Sequence, residues 1–326
     1  MENRNSGIGG TDISVLLGLN PWKTPFQLWQ EKTGRLIEEP VPEARERMYW
    51  GTVLEDVVAR HYSDRMNVRV QRVNGTLRHP DSPIAIAHID RAVCAGFGSR
   101  ARWNGRQVLG ADRVLECKTA HAMAQYGADW GDPGTEAVPE RYWLQCQWYL
   151  GITGLPVADL AVLFGGQQFA IYTIPADSGL FSDLLNEAVG WWERHIVADL
   201  PPDPASEAEA RQAWRSHVAG KEQIVDIEVA EWVGELVEVK AEIKELKTQE
   251  QALRDRIVPA FGDAESISYM GRRLATFKQS KGSSKTDWKA VAEDFKTIDE
   301  AAYAIAVADY TEITEGARVL RLNTKE

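Results

Sequence analysis

The chain has 326 residues, of which 44% are hydrophobic and 26% are charged, and its formal net charge is −11. This composition is typical of a globular protein, and no run of 18 apolar residues could cross a membrane. The negative charge argues against non-specific nucleic-acid binding over the whole surface. It leaves open a basic channel on an acidic body, with ordinary solvated charge as the alternative, and the candidate lining residues are Arg65, Arg69, Arg72, Arg78 and Arg91. Cys94, Cys117 and Cys146 are odd in number and widely separated, which argues against a disulfide framework or a Cys-x-x-Cys metal site and favours a reducing cytoplasm.

The part of the chain before residue 200 alternates between predicted helices and predicted strands. Apolar periodicity, capping residues and glycine stops predict helices over residues 8–18, 26–34, 43–66, 140–151 and 178–198. Runs of aliphatic residues predict strands over residues 68–77, 84–93, 110–118, 157–164 and 168–174. The insert from Gly96 to Gly110 is expected to form a hairpin loop. This order predicts an α/β fold with a mixed sheet.

A proline cluster, Leu200-Pro201-Pro202-Asp203-Pro204, gives the clearest boundary in the sequence. We predict a first domain over residues 1–204 and a C-terminal helical, coiled-coil-like and hairpin extension over residues 205–326. The short elements predicted in the extension are a hairpin over 265–279 with its turn at Met270-Gly271, a helix from near Thr286, and a strand over 317–322.

A heptad stripe runs through the first half of the extension. From Trp232 to Ile257, apolar residues recur at spacings of 4, 3, 4, 3, 7 and 4, with Glu and Lys on the flanks and one polar break at Glu250. Pro259 and Gly262 end the pattern. Either a helical hairpin or an inter-subunit coiled coil would cover such a stripe.

Two predicted strands end in charged residues. Asp90 follows the run Ile84–Ile89, and Glu116-Cys117-Lys118 follows Arg113-Val114-Leu115. Because alternate side chains of a strand share a face, Glu116 and Lys118 should point the same way, with Leu115 and Cys117 opposite. Charges among apolar neighbours are costly unless a metal or a substrate balances them.

This pattern predicts a Mg²⁺ site, since Mg²⁺ prefers oxygen ligands and takes one or two protein carboxylates. Asp90 and Glu116 are the candidate ligands, and the backbone carbonyl of Cys117 is a further candidate. Lys118 would orient or deprotonate the attacking water and offset phosphate charge. The alternative is a structural ion pair between Glu116 and Lys118.

Five ordered segments extend the pattern beyond these residues. They are Gly7-Ile8-Gly9-Gly10-Thr11-Asp12-Ile13 with the following Leu17–Trp22 and Leu28–Gly34, then Trp50–Glu55, His88-Ile89-Asp90, Leu115–Thr119 and Tyr142–Gln147. Over about residues 4–200 the sequence resembles the YqaJ-type phage recombinase nucleases, the family that includes lambda exonuclease, within the PD-(D/E)XK nuclease superfamily. The resemblance implies a PD-(D/E)XK core for the α/β fold.

The resemblance also implies roles for matching residues. Glu55 would be a helix-borne acid at a second metal or its waters, and Gln145 an active-site glutamine. Arg4, Gly10 and Thr11 would hold a DNA 5′-phosphate. One departure lies at Asp90, where Ile89 precedes and Arg91 follows in place of the family's usual small residue and glycine.

The function implied is a Mg²⁺-dependent nuclease, with Mn²⁺ as a substitute, most simply a 5′-to-3′ exonuclease on double-stranded DNA ends. The partners implied are a single-strand annealing protein and further copies of the chain in a ring-like trimer or tetramer, with no membrane. The expected setting is the bacterial cytoplasm, from a phage or prophage. A structure-specific endonuclease on the same core and a non-catalytic DNA-end-binding scaffold are the alternatives.

Overall fold

The computed structural model describes residues 4–35, 42–94, 96, 98–105, 108–280, 282 and 285–311. The chain divides into two compact units, Met1–Ala213 and Trp214–Glu326. Among the described residues, no helix is both long enough and apolar enough to span a lipid bilayer. The strand predicted over 317–322 lies outside the described residues.

The first unit combines six α-helices with nine short or medium strands in the described ranges. The helices are α1 (Gly10–Leu16), α2 (Pro25–Lys32), α3 (Pro42–Met66), α4 (Glu140–Thr153), α5 (Ser178–Trp191) and α6 (Glu207–Ala213). The strands are β1 (Val70–Arg72), β2 (Leu77–Arg78), β3 (Ile86–Ala87), β4 (Arg91–Cys94), β5 (Arg102–Trp103), β6 (Val108–Leu109), β7 (Ala111–Ala120), β8 (Val157–Phe164) and β9 (Gln168–Pro175).

Five of these strands form one mixed sheet in the order β1-β4-β7-β8-β9. The pairing of β7 with β8 is parallel, and the other three pairings are antiparallel. A parallel pair needs a crossover connection, and helix α4 lies in that connection. The predicted α/β fold with a mixed central sheet is therefore confirmed.

Helices cover both faces of the sheet. On one face, α1, α4 and α5 enclose the larger apolar cluster, in which Trp148 and Leu160 are fully buried. On the other face, Tyr62 of α3 packs in a smaller cluster with Leu115 and Cys117 of β7. Leu115 and Cys117 thus point away from the α4 side, as the strand alternation predicts.

A buried polar network anchors α3 to the sheet. Asp159 of β8 is fully buried, and its carboxylate accepts hydrogen bonds from Tyr62 at 2.5 Å, Arg113 at 2.7 Å and Thr173 at 2.9 Å. Buried carboxylates are tolerated when they are paired and hydrogen-bonded in this way. Tyr62 lies about two turns after Glu55 on α3, so this network also holds the part of the helix that carries Glu55.

The strand predicted over residues 84–93 is wrong in one respect, because it is broken. Strand β3 pairs with β2, whereas β4 pairs with β1 and β7, and residues 88–90 lie in no strand. The break coincides with a side-chain bond, since Asp90 Oδ2 accepts the backbone N–H of Cys117 at 2.9 Å. Asp90 therefore precedes β4 instead of ending a long strand. The predicted hairpin after Gly96 is confirmed by β5 and β6.

The first unit continues beyond the proline cluster. Glu209 of α6 is buried, and its carboxylate accepts a hydrogen bond at 2.8 Å from Thr24, the residue that caps α2. A second bond of 2.8 Å joins Gln30 to Gln212. These contacts tie the chain after Pro204 back to the first unit.

The second unit contains a long helix, a hairpin and two shorter helices. They are α7 (Ile227–Ile257), β10 (Ser266–Tyr269), β11 (Arg272–Thr276), α8 (Trp288–Ile298) and α9 (Glu300–Tyr310). The heptad stripe lies on α7, which Asp226 caps through the backbone N–H of Val229. Met270 and Gly271 have φ of 48° and 78°, as a tight hairpin turn requires, so the predicted hairpin is confirmed.

Candidate active site

Strand β7 and the residue before β4 bring the three predicted catalytic residues together. Glu116 and Lys118 lie on the same face of β7, and Lys118 Nζ donates to Glu116 Oε1 at 2.6 Å. Asp90 is held beside them by its bond to the Cys117 N–H. All three line one cavity of about 270 Å³. The predicted ion pair of Glu116 with Lys118 therefore exists, but inside a cavity that also holds a second carboxylate.

The same cavity brings in residues from three helices. Gln145 of α4 and Gly10 and Thr11 of α1 line it, as the resemblance implied for a common site. Gly9, which belongs to the same predicted helix N-terminus, also lines it. No site role was predicted from the sequence for the other lining residues, which are Asn5, Asp12, Lys23, Glu31, Lys32, Ile86, His88 and Tyr149. The cavity is therefore formed jointly by the sheet, the first two helices and α4.

Gln145 is a buried link between strand β7 and α4. Its Nε2 donates to Glu116 Oε1 at 2.7 Å and to the hydroxyl of Tyr149 at 2.9 Å. Tyr149 is also buried, and the i, i+4 spacing of Gln145 and Tyr149 on a helix is the sequence signal that could have identified it. These bonds fix the orientation of the Glu116 carboxylate.

Close packing of α1 against α4 depends on Gly10. A Cβ atom at Gly10 would lie 2.6 Å from a ring carbon of Tyr149 and 3.0 Å from Cγ of Gln145. Real Cβ atoms do not approach carbon that closely, so a glycine is required unless both buried side chains move. Gly10 thus allows the helix pair to bring Thr11 beside Gln145.

One carboxylate oxygen in the site lacks a hydrogen bond. Glu116 Oε2 is buried and has no partner, although Glu116 Oε1 accepts from both Lys118 and Gln145. An unsatisfied buried acceptor costs about 1–3 kcal/mol. Two carboxylates with a free buried oxygen fit the oxygen chemistry of Mg²⁺. No described cluster of three or more His, Cys, Asp or Glu side chains is placed to hold a metal.

Burial and charge shape protonation in the site. Burial, and then the neighbouring charge of Glu116, raise the pKa of Asp90 to about 8, against the opposing effect of Lys118. For Lys118, burial lowers the pKa, but the charges of Glu116 and Asp90 outweigh that effect and the net shift is upward. Lys118 is therefore held as an ammonium, which suits orientation and charge neutralisation better than proton removal.

Glu55 occupies a different position from the other predicted residues. Its Oε1 accepts from Arg91 at 2.6 Å and from Arg72 at 3.5 Å, and it is not among the described residues that line the cavity. Its charge nevertheless contributes to the raised pKa of Asp90. Arg91 is buried, which excludes it from the solvated basic lining considered in the sequence.

In the region predicted to hold a 5′-phosphate, a carboxylate of the protein already pairs with a nearby lysine. Gly10 and Thr11 line the cavity, but the side chain of Arg4 lies outside the described residues. Asp12 accepts the Gly9 backbone N–H at 2.8 Å and pairs with Lys32 at 2.7 Å. The Lys32 side chain is only 4% exposed. A lysine buried at a cavity wall is the strongest cationic feature that sequence reasoning missed.

Two sequence comparisons find similar proteins. Residues 1–156 match the model of the YqaJ-like viral recombinase domain. A Bacillus subtilis (strain 168) protein called uncharacterized protein YqaJ is 33% identical over 304 residues, which cover 91% of this chain and 88% of that protein.

The chain is less similar in sequence to solved structures than to the Bacillus subtilis protein. An alkaline exonuclease from Laribacter hongkongensis, LHK-Exo, is 15% identical with a TM-score of 0.43, covering 60% of this chain and 90% of that one. A phage related exonuclease from Haemophilus somnus 129PT is 10% identical with a TM-score of 0.41, covering 60% of this chain and 96% of that one.

Proposed function

Because the chain belongs to the YqaJ-like viral recombinase family, we propose that it is a metal-dependent deoxyribonuclease that hydrolyses phosphodiester bonds at DNA ends. The observation that carries the proposal is the cavity in which buried Glu116, with one oxygen free of hydrogen bonds, lies beside Asp90 and Lys118. A bare structural ion pair would not require a second carboxylate or an unsatisfied oxygen.

The residues present fit a divalent cation of the Mg²⁺ type, with Mn²⁺ as a substitute. Asp90, Glu116 and the carbonyl of Cys117 would hold it, with Glu55 contributing at longer range. When bound, such a cation acts as a Lewis acid and lowers the pKa of a water ligand. The protein contributes a fixed orientation, since Gln145 and Lys118 both hold Glu116 Oε1.

Lys118 and Gln145 have separable tasks in this proposal. The Lys118 ammonium would orient the attacking water and neutralise charge on the scissile phosphate. Gln145 would keep the Glu116 carboxylate in place through its bond to Tyr149. Preorganised groups of this kind cost no rearrangement when the phosphate reacts.

We further propose that the substrate is a double-stranded DNA end and that cleavage runs from its 5′ end. A 5′-to-3′ exonuclease would seat a terminal 5′-phosphate near Gly10, Thr11 and Arg4. Lys23 and Lys32 at the cavity wall support anion binding there. The product would be a 3′ single strand for an annealing protein in phage-type recombination in the bacterial cytoplasm, and a ring-like homo-oligomer would keep the enzyme on its DNA.

Digestion of linear duplex DNA labelled at either end tests the proposal. The wild-type chain is assayed with Mg²⁺, Mn²⁺ or EDTA, on ends carrying 5′-phosphate or 5′-hydroxyl. We expect cation-dependent release of nucleotides from the 5′ end, faster with the 5′-phosphate. Glu116→Gln should lower the rate by at least about 1,000-fold, whereas Glu187→Gln, an exposed site on α5, should leave it unchanged.

Two results would replace the proposal with its alternatives. Cleavage of closed circular duplex at a rate similar to linear duplex would indicate a structure-specific endonuclease on the same core. Absence of cleavage with either cation on linear, nicked and circular DNA, with end binding retained, would indicate a non-catalytic scaffold. Full activity of Glu116→Gln would show that the site assignment is wrong.

A further inference from the structure

Helix α7 carries an apolar stripe that its own unit leaves exposed. None of its 31 residues is buried. Six large apolar side chains of the stripe are between 45% and 55% exposed, namely Trp232, Val239, Ile243, Leu246, Leu253 and Ile257. An exposed apolar row of this length on a polar helix is typical of a surface that another helix covers.

The spacing of the row assigns its heptad positions. Counting from Ile243 as position a, the a positions are Val229, Leu236, Ile243, Glu250 and Ile257, and the d positions are Trp232, Val239, Leu246 and Leu253. β-branched residues occupy three of the five a positions, and Leu occupies two of the four d positions. That distribution favours two parallel strands over three or four.

The flanking charges identify the partner as the same helix. Position g carries Glu235 and Glu242, and position e carries Lys240 and Lys247. In a parallel, in-register pair, each g residue faces the e residue five positions later on the partner helix. Glu235 then meets Lys240 of the second copy, and Glu242 meets Lys247.

In an antiparallel pair, the charged residues at positions e and g would meet different partners. There e positions lie opposite e positions, and g positions lie opposite g positions, so Lys240 and Lys247 would meet other cations, including Arg254. Like charges at these positions are destabilising. Arg256 also lies at a g position, where an antiparallel pair can set it against a g-position glutamate, but the e positions carry three cations and no anion. The helix is therefore more complementary to itself in the parallel orientation.

We infer that α7 pairs with α7 of a second copy of this chain as a parallel, in-register, two-stranded coiled coil. In this register Glu250 faces Glu250 of the second copy, a like-charge contact that lowers stability, and the bond of Glu250 to Arg254 on its own helix at 2.8 Å offsets part of that charge. A single polar a position lowers stability but fixes register. This interface is independent of the proposed nuclease chemistry.

Cross-linking of the full chain tests the orientation. Val239→Cys and Leu253→Cys place thiols at d positions about 21 Å apart along the helix. In a parallel in-register pair, a short bis-maleimide should link each variant to its own copy efficiently. Thr248→Cys, on the opposite side of the helix, is the control and should link poorly. The natural cysteines Cys94, Cys117 and Cys146 are buried, so the unmodified chain reports their background reaction.

Charge reversal tests the pairing, with sedimentation as the measurement. The wild-type chain should have a mass that is an even multiple of 36.4 kDa. Glu235→Lys with Glu242→Lys should raise the dissociation constant about tenfold or more. Adding Lys240→Glu and Lys247→Glu should restore wild-type association. Circular dichroism shows whether each variant keeps its helix.

Three outcomes would overturn the inference. They are a monomeric or odd-numbered wild-type chain, equal cross-linking at Thr248 and at the d positions, and charge reversal without effect on mass. A monomer that associates only when a different protein is added would show that another partner covers the stripe. Cross-linking of only one of the two d variants would indicate an antiparallel pair.

Discussion

Arg91 Nη1 donates to Glu55 Oε1 and to the backbone carbonyl of Asp90, both at 2.6 Å, while Nη2 bonds to Asp56. The arginine that follows the candidate metal-binding aspartate therefore clamps the turn before β4 to helix α3. The resemblance implied a glycine at this position, and this chain has a buried cation there instead. The local geometry of Asp90 depends on that clamp.

Removal of the clamp should destabilise the first unit. Arg91→Ala leaves Glu55 without its main partner, and breaking a buried pair costs about 3–5 kcal/mol. Arg72→Ala is the matched control, because Arg72 is half-exposed and lies 3.5 Å from the same carboxylate, so its effect should stay below about 1 kcal/mol. Urea unfolding measures both. Equal stability of the two variants would contradict the role of Arg91.

Substitution of Gly10 should disturb the site without touching a charged residue. The Cβ of Gly10→Ala would collide with Tyr149 and Gln145, and overpacking of this kind costs about 1–3 kcal/mol. Because Gln145 holds Glu116, the rate of DNA cleavage should fall as well. Gly51→Ala is the control, since nothing lies within 4 Å of its added Cβ. A fully active, fully stable Gly10→Ala protein would show that α1 and α4 separate easily.

Lys32 should influence recognition of the DNA end. Its ammonium lies at the cavity wall and pairs with Asp12 at 2.7 Å. Lys32→Met keeps the volume but removes the charge, so the preference for 5′-phosphate over 5′-hydroxyl ends should fall about fivefold or more. Lys278→Met is the control, because Lys278 does not line the cavity and its pair with Glu265 is exposed. Cleavage rates on the two kinds of end, measured side by side, give the preference.

Stability of the cation-free protein should depend on the ionisation of Asp90. Burial and the charge of Glu116 raise its pKa from the ordinary value of 3.8 to about 8. Between these values the folded state binds more protons than the unfolded state, so the free energy of unfolding should fall as pH rises. Asp90→Asn should lose this part of the pH dependence. Urea unfolding in EDTA at pH 5 and pH 8.5 measures the difference, and identical pH slopes would contradict the shift.

The arrangement of side chains on strand β7 was predictable because it depends only on local sequence. Alternation along β7 separates Glu116 and Lys118 from Leu115 and Cys117, and the structure has them on opposite faces. The break at Asp90 was not predictable, since it coincides with a side-chain bond to a backbone N–H 27 residues away. The alternation of apolar and polar residues along a strand contains no information about such long-range bonds.

Buried charge was the other failure of sequence reasoning. Arg91 reads as one of several surface arginines, but its burial depends on Glu55, which is 36 residues earlier in the chain. Lys32 ends an ordinary amphipathic helix, and its pairing with Asp12 follows only from the packing of α2 near α1. Charged side chains carry no local signal that distinguishes solvated from paired positions.

The parallel pairing of β7 with β8 has a kinetic consequence. The connection between them is long, and it includes α4, which carries Gln145. The bond from Gln145 to Glu116 joins residues 29 positions apart, so forming it costs loop-closure entropy before the contacts are gained. During refolding, we expect helix content to return before DNA cleavage, because helices form from local contacts whereas the surroundings of the Glu116 carboxylate need these long-range contacts.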